Sequence, residues 1–438
     1  MVDTPSLRLP AGMRDFAPLA TAARRRIAET LLGVFEGWGF ARVITPAFEY
    51  EEVLGLGLGS NGRASALKFV EPSSGRVVAL RPDITPQIAR LIATRFREET
   101  GPVRLCYEGT VLRLEKGARS QRELIQAGVE LAGVTAPEGD AEVIALGAEA
   151  LVAAGLDADK FDLTIDLGHL GLMREVLSAL ALSEGASAAL RLAIAKRDRT
   201  AVDEVLRGAR TGPVAAYDGV ARFVRALPDF SGGAAVLQTA SAQAPNGRIR
   251  RAISDLQAIV KAVEGRRIPA RLHVDLGEVR GFDYYTGVRF QAFVSGAAEP
   301  VLQGGRYDDL LGRYGKPSPA VGFAIDVEAA AGALEIADGG GLQTTGGGAG
   351  PHAPVLVVGA TVEAVAVART LRAQGRRAAP LLVTMPDDEI AEYASRWGYG
   401  EIVKAERTGA VVAAPAKPGA RAARRAGAGH KANKKGRG

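Results

Sequence analysis

The chain has 438 residues with one cysteine and four histidines, which excludes an internal disulfide and makes a structural zinc site unexpected. No apolar run reaches the roughly 18 residues of a membrane span, and the start, MVDTPSLRLPAGMRDF, lacks the basic and apolar regions of a secretion signal, so a cytoplasmic protein without a membrane partner is expected. The net charge of +6 belongs to the tail: Lys417 to Arg437 hold eight Lys/Arg and no acid, while the remainder carries 47 basic and 49 acidic residues.

Residues 20–38 place Ile27, Leu31, Val34, Phe35 and Trp38 on one helical stripe, with Gly39 as the stop. ARVITP follows as a strand ended by Pro46. ALKFVEPSSGRVVALRPD reads as two short strands around a Ser-Ser-Gly turn. A helix then begins at TPQIARLIATRF, with Thr85 as a cap and Pro86 at the first helical position. Residues 103–113 and 122–131 read as strands joined by a polar loop. Residues 170–268 are mostly helical, and RLHVDLGEV and GVRFQAFV read as later strands. AVGFAIDVEAA, 320–330, is an apolar strand running into a helix start.

The fold class is therefore α+β: an antiparallel sheet flanked by helices over 1–336, with a helical insertion at about 170–268. A Gly-rich linker is expected at 337–353 and a small α/β unit at 354–411. A basic, disordered tail is expected at 412–438.

Alternation in 122–131 puts Arg122, Leu124, Gln126, Gly128 and Glu130 on one face. Ile125, Ala127, Val129 and Leu131 take the other, a core face. The polar face has a glycine gap at Gly128, which leaves room for a ligand; the bland alternative is a solvent-facing strand. LRPDIT supplies Asp83 and Thr85, GTVLRLE supplies Arg113 and Glu115, and EVRGFDYYTG supplies Arg280, Tyr284 and Tyr285. Acidic and amide groups suit an α-ammonium. An arginine suits a carboxylate through two parallel hydrogen bonds. Glu130 with a tyrosine hydroxyl suits the two nitrogens of an imidazole. Such a set is what a free amino acid with a polar ring needs.

LRPDIT, YEGTVLRLE with RELIQAGVE, VRGFDYYTG, LQGGRYDDLL and AVGFAIDVEAA stand in an order that resembles histidyl-tRNA synthetase over about residues 10–332. VFEGWGFARVITPAFE is similar to its dimer-forming motif 1, and 354–409 more weakly to its anticodon-binding domain. The resemblance implies that Asp83, Thr85 and Gln126 hold the ammonium group. It implies that Arg113 and Arg280 hold the carboxylate and α-phosphate. Glu130 and Tyr285 fall on the imidazole-reading positions, and Glu115 on the adenine-reading one. The synthetase pattern has Glu where Asp83 stands.

Motif 3 of the synthetase ends in a Glu-Arg pair whose arginine holds the γ-phosphate of ATP; here the pair is Glu328-Ala329. Asp326 stands where the synthetase has glycine. Removing a cation and adding a carboxylate opposes nucleotide activation, which depends on fixed positive groups. Asp326 taken alone also fits a helix N-cap.

RLCYEGTVLR and QAGVELAG look more like the regulatory subunits of ATP phosphoribosyltransferase than like the synthetase. That resemblance implies a non-catalytic subunit in histidine biosynthesis, built on a dimer through motif 1. It implies a short-form catalytic partner, histidine as a possible ligand, no cofactor and no tRNA. The alternatives are a divergent synthetase, or a free-standing histidine sensor or RNA binder that uses the tail.

Overall fold

The computed structural model describes residues 8–114, 122–208, 214–281, 284–337, 354–405 and 411–415. Glu115, most of the expected Gly-rich linker and the tail beyond 415 lie outside these residues. The chain divides into two compact units, one formed by Met1–Asp15 with Thr21–Gly341, the other by Phe16–Ala20 with Leu342–Gly438.

The strands of the first unit begin with β1 (Ala41–Arg42), β2 (Phe48–Tyr50), β3 (Lys68–Val70) and β4 (Val77–Leu80). They continue with β5 (Val103–Leu112), β6 (Glu123–Ala132), β7 (Thr164–His169) and β8 (Ser231–Gly232). The last are β9 (Arg271–Asp275), β10 (Val288–Phe293), β11 (Leu302–Arg306) and β12 (Ala320–Asp326). Nine of them form one sheet in the order β1-β5-β6-β12-β11-β10-β7-β9-β8. The β1–β5 and β7–β9 pairs are parallel, and the other pairs in it are antiparallel. A small antiparallel sheet, β2-β4-β3, stands apart.

The period of two in β6 decides how this sheet is used. Ala127, Val129 and Leu131 pack into the main core, together with Ile27, Leu31 and Phe35 of the Pro18–Gly37 helix. Leu124 joins a second core on the opposite face, with Ile84, Ile88, Tyr107 and Tyr307. Both faces are thus covered, and Gln126 and Glu130 are buried on the second one. Gly39, at φ +83°, ends the first helix as expected.

Between β7 and β9 the described residues form six α-helices, spanning Leu170–Leu180, Glu184–Ala195, Arg199–Gly208, Val214–Ala226, Val236–Gln243 and Gly247–Gly265. Side-chain caps start four of them: His169 Nδ1 accepts from the Leu172 amide (3.1 Å), Ser183 Oγ from that of Ala186 (3.3 Å), Asp198 Oδ1 from that of Ala201 (3.0 Å) and Asn246 Oδ1 from that of Ile249 (2.9 Å). In the second unit, β13 (Val355–Gly359), β14 (Ala378–Pro380), β15 (Glu401–Ala405) and β16 (Val411–Pro415) form a sheet in the order β14-β13-β15-β16. It carries the helices Thr361–Ala373 and Asp387–Trp397.

The structure departs from the sequence reading in four places, one of them the start of the expected tail: residues 412–415 belong to β16 and pair with β15. ARVITP forms only the two-residue β1, because it pairs with β5 alone. The Thr85–Arg95 helix already includes Thr85; Ile84 is its N-cap residue and makes no side-chain cap bond. β7, β11 and a 17-residue helix, Pro137–Ala153, are additional elements. Among the described residues no helix is long and apolar enough to cross a membrane.

Candidate functional site

β6 and β12 run antiparallel, pairing Gln126 with Asp326, Gly128 with Ala324 and Glu130 with Gly322. Asp83 and Thr85 come to this sheet from the start of the Thr85–Arg95 helix. A cavity of about 130 Å³ lies there, lined by Asp83, Thr85, Arg113, Gln126, Tyr284, Tyr285, Tyr307 and Asp326 among others. Six of the eight positions singled out for a histidine ligand thus meet in one place: Asp83, Thr85, Arg113, Gln126, Tyr284 and Tyr285. A wider cleft of about 550 Å³ shares Asp83, Arg113 and Tyr284 with it, and adds Arg280 and Arg191.

The remaining two positions sit differently. Arg280 lines the wider cleft, and its guanidinium is held by Glu278 (Nη2 to Oε2, 2.6 Å). Glu278 also pairs with Arg289 at 3.0 Å, so it answers two cations. Glu130 is not among the residues that line either cavity. It is 2% exposed, and Tyr107 donates to its Oε1 at 3.3 Å while Tyr307 donates to its Oε2. A Cβ at Gly322 would collide with Glu130 Oε2, so only glycine fits across the strand from this carboxyl. The Gly128 gap, read as ligand space, is filled from within: a Cβ there would meet the Tyr107 hydroxyl at 2.5 Å.

The cavity is acidic. Burial raises the carboxyls of Asp83 and Asp326 above their usual range, with Arg113 pulling both down. Burial also pushes Glu130 up to about 8. Arg113 is the one cation in the wall among the described residues, and its Nε donates to the Pro82 carbonyl at 2.7 Å. Gln126 is buried, and its Oε1 has no hydrogen-bond partner among the described residues. An unpaired buried acceptor is costly, and this one belongs to the residue that faces Asp326 across the β6–β12 pair. The site therefore offers an ammonium two carboxyls and an unpaired amide oxygen against one guanidinium, while the Tyr284 hydroxyl, also unpaired among the described residues, is left for another polar group of a ligand.

Aromatic rings close the other wall. Tyr284 packs edge-on to Tyr285 (5.0 Å, 89°) and tilted to Tyr307 (5.5 Å). Arg174, from the Leu170–Leu180 helix, donates to the Tyr285 carbonyl at 2.8 Å and fixes that turn to the helical insertion. Gly305 makes room for the Tyr285 ring, since a Cβ there would approach it within 2.6 Å.

Asp326 proves to be a helix cap. Its Oδ1 accepts from the amides of Glu328 (2.9 Å) and Ala329 (3.0 Å) at the start of the Val327–Ala337 helix. The positive end of that helix is thus already occupied by a carboxylate. Glu328 points the other way, to Arg14 (2.5 Å) and Arg24 (2.8 Å). Ala329 packs against the main core.

Sequence reasoning missed Tyr107, Tyr307 and Gly322. Tyr307 lies inside LQGGRYDDLL, and the alternation of β5 could have placed Tyr107 opposite Gly128, its register partner.

The histidyl-tRNA synthetase family model matches residues 12–330. The ATP phosphoribosyltransferase regulatory subunit of Geobacter sulfurreducens is 42% identical over 328 residues, covering 75% of this chain and 73% of the relative. That of Anaeromyxobacter dehalogenans is 40% identical over 344 residues, covering 76% and 93%. Among solved structures, a histidine–tRNA ligase subunit from Alicyclobacillus acidocaldarius has a TM-score of 0.63 at 28% identity, covering 77% of this chain and all of its own. An ATP phosphoribosyltransferase regulatory subunit/histidyl-tRNA synthetase from Bacillus halodurans has a TM-score of 0.76 over 92% of this chain; at 24% identity it shows the fold alone. The chain belongs to the histidyl-tRNA synthetase family and, within it, to the ATP phosphoribosyltransferase regulatory subunits.

Proposed function

We propose that this chain is the non-catalytic subunit of a hetero-oligomeric ATP phosphoribosyltransferase, the first enzyme of histidine biosynthesis. Its role is to permit full activity of a short-form catalytic subunit, which condenses ATP with phosphoribosyl pyrophosphate, and to relay inhibition by histidine. The observation that carries the reading is a contrast within one sheet. The acidic cavity keeps an orphan acceptor for an amino acid, Gln126 Oε1. Beside it, the motif 3 helix start carries Asp326 as its cap and alanine at 329.

In this reading Asp83, Thr85 and Gln126 receive the ligand's ammonium, and Arg113 its carboxylate. Arg280 takes part only if it leaves Glu278. Glu130 and the tyrosines read the ring. Aminoacylation is lost because no fixed cation at 329 meets a γ-phosphate and the helix dipole is already answered. No tRNA partner is proposed. Homodimerisation through the motif 1 region is supported by exposed apolar side chains there and on the small sheet: Ile44 (90% exposed), Phe48, Phe69, Val70 and Val77.

The test is to mix the purified chain with a short-form catalytic subunit and measure phosphoribosyl-ATP formation with and without histidine. Activation on mixing and inhibition by histidine are expected. Histidine-dependent exchange of pyrophosphate into ATP by this chain alone would overturn the reading in favour of a working synthetase.

A further inference from the structure

Resting on the reading of the cavity as a histidine site, we propose that the empty site already holds the proton that the bound ring will share. Glu130 carries it, and Tyr307 passes the contact to the ligand.

The geometry leads there as follows. Glu130 is buried, and the groups that act on it among the described residues are Thr85, Tyr307, Tyr107 and Asp83, none of them a cation. What faces it is neutral or acidic on every side. Tyr107 comes from β5, Thr85 from the helix above, and Tyr307 from the turn after β11. Asp83 is close enough to oppose its ionisation. Tyr284 and Tyr285 lie further round and feel its charge. The nearest cation in the cavity, Arg113, faces Asp83 instead. β12 contributes only the bare backbone of Gly322. A carboxyl so placed keeps its proton through neutral pH, in line with its titration near 8.

Tyr307 lines the cavity and donates its hydroxyl proton to Glu130 Oε2. Its oxygen keeps an accepting lone pair for a ring N–H. When a neutral imidazole enters, the pair of ring and carboxyl holds one proton in total, wherever that proton resides. A cavity that already stores it needs none from solvent.

The consequence is a proton count that changes with pH. Free imidazole titrates near about 6.5. At pH 6.0 most of the free ligand is imidazolium, so site and ligand together hold one proton too many, and binding releases it. At pH 7.2 the ligand is neutral and Glu130 is protonated, so binding exchanges none. Above pH 8 the empty site has lost its proton, and binding takes one up. Affinity is greatest between the two limits and falls up to tenfold per pH unit outside them.

Isothermal calorimetry of L-histidine binding to the full chain, in two buffers of different ionisation enthalpy, reads the count directly. We expect release of more than half a proton at pH 6.0, none at pH 7.2 and uptake at pH 8.5. Glu130→Gln, compared at pH 8.5, isolates the uptake owed to Glu130 from that of the ligand's own ammonium. Tyr307→Phe should weaken histidine at least tenfold. Uptake of a proton at pH 7.2, or no release at pH 6.0, overturns the inference while leaving the histidine site intact. Absence of binding at every pH, in folded protein, overturns the histidine site and the inference with it.

Discussion

Replacing Glu130 by glutamine should alter the stability of the first unit in a pH-dependent way, even without a ligand. Unfolded, this carboxyl titrates at its ordinary value of 4.5; folded, burial moves it to about 8. Between those values the native state holds a proton that the unfolded chain lacks. Stability therefore falls as pH rises, by about 1.4 kcal/mol per unit. Between pH 6.0 and pH 7.5 the loss is about 2 kcal/mol. Glutamine has no such proton and shows no such loss. His169 works in the opposite sense: burial depresses it to about 4, so its contribution grows as pH rises through the ordinary histidine range. It is common to both proteins and cancels in the comparison. Urea denaturation followed by the fluorescence of Trp38, in a Trp397→Phe background, reports on the first unit. If wild type and variant change in parallel between the two pH values, to within about 0.5 kcal/mol, Glu130 does not carry a buried proton.

Asp326→Ala should cost about 1 kcal/mol of stability through loss of the two amide contacts, and Asp326→Asn distinctly less; equal losses in urea denaturation would mean that the cap is not its role. Gly322→Ala should abolish histidine binding in calorimetry while circular dichroism keeps its helical and strand signal, because the new methyl group meets both Glu130 and the Val129 carbonyl. Unchanged affinity would show that the position of Glu130 does not matter to the ligand. Phe69→Asp with Ile44→Asp should convert a dimer into monomers in analytical ultracentrifugation, and an unaltered sedimentation coefficient would place the interface elsewhere.

Much of this site is legible in the sequence because β6 is a regular strand buried on both faces. Alternation alone separates Gln126 and Glu130 from Ala127, Val129 and Leu131. Chain order of the short motifs then supplies the rest. What stays hidden depends on contacts between distant residues. The Pro137–Ala153 helix is buried on most of its surface, so it shows no amphipathic period. Its Asp140, moreover, meets Arg306 of β11, far along the chain, at 2.9 Å. Arg280 is singled out in the sequence through VRGFDYYTG; that Glu278, two residues earlier, holds its guanidinium and that of Arg289 as well is visible only in the fold. The glycine at 128 is visible as a gap, but only the fold says that Tyr107 fills it and that Gly322 is bare because Glu130 lies against it.

The helical segment between β7 and β9 has a bearing on how the chain assembles. These two strands lie side by side, with Thr164 opposite Arg271, yet residues 170–270 separate them along the chain. Joining strands so far apart is entropically slow unless the intervening stretch condenses first. As the chain is made, β7 therefore has no neighbour in the sheet until β9 and β10 follow the six helices, and β6 gains its second neighbour only with β12. The same arrangement lets the inserted segment lengthen or shrink over evolutionary time without disturbing the register of the strands that flank it.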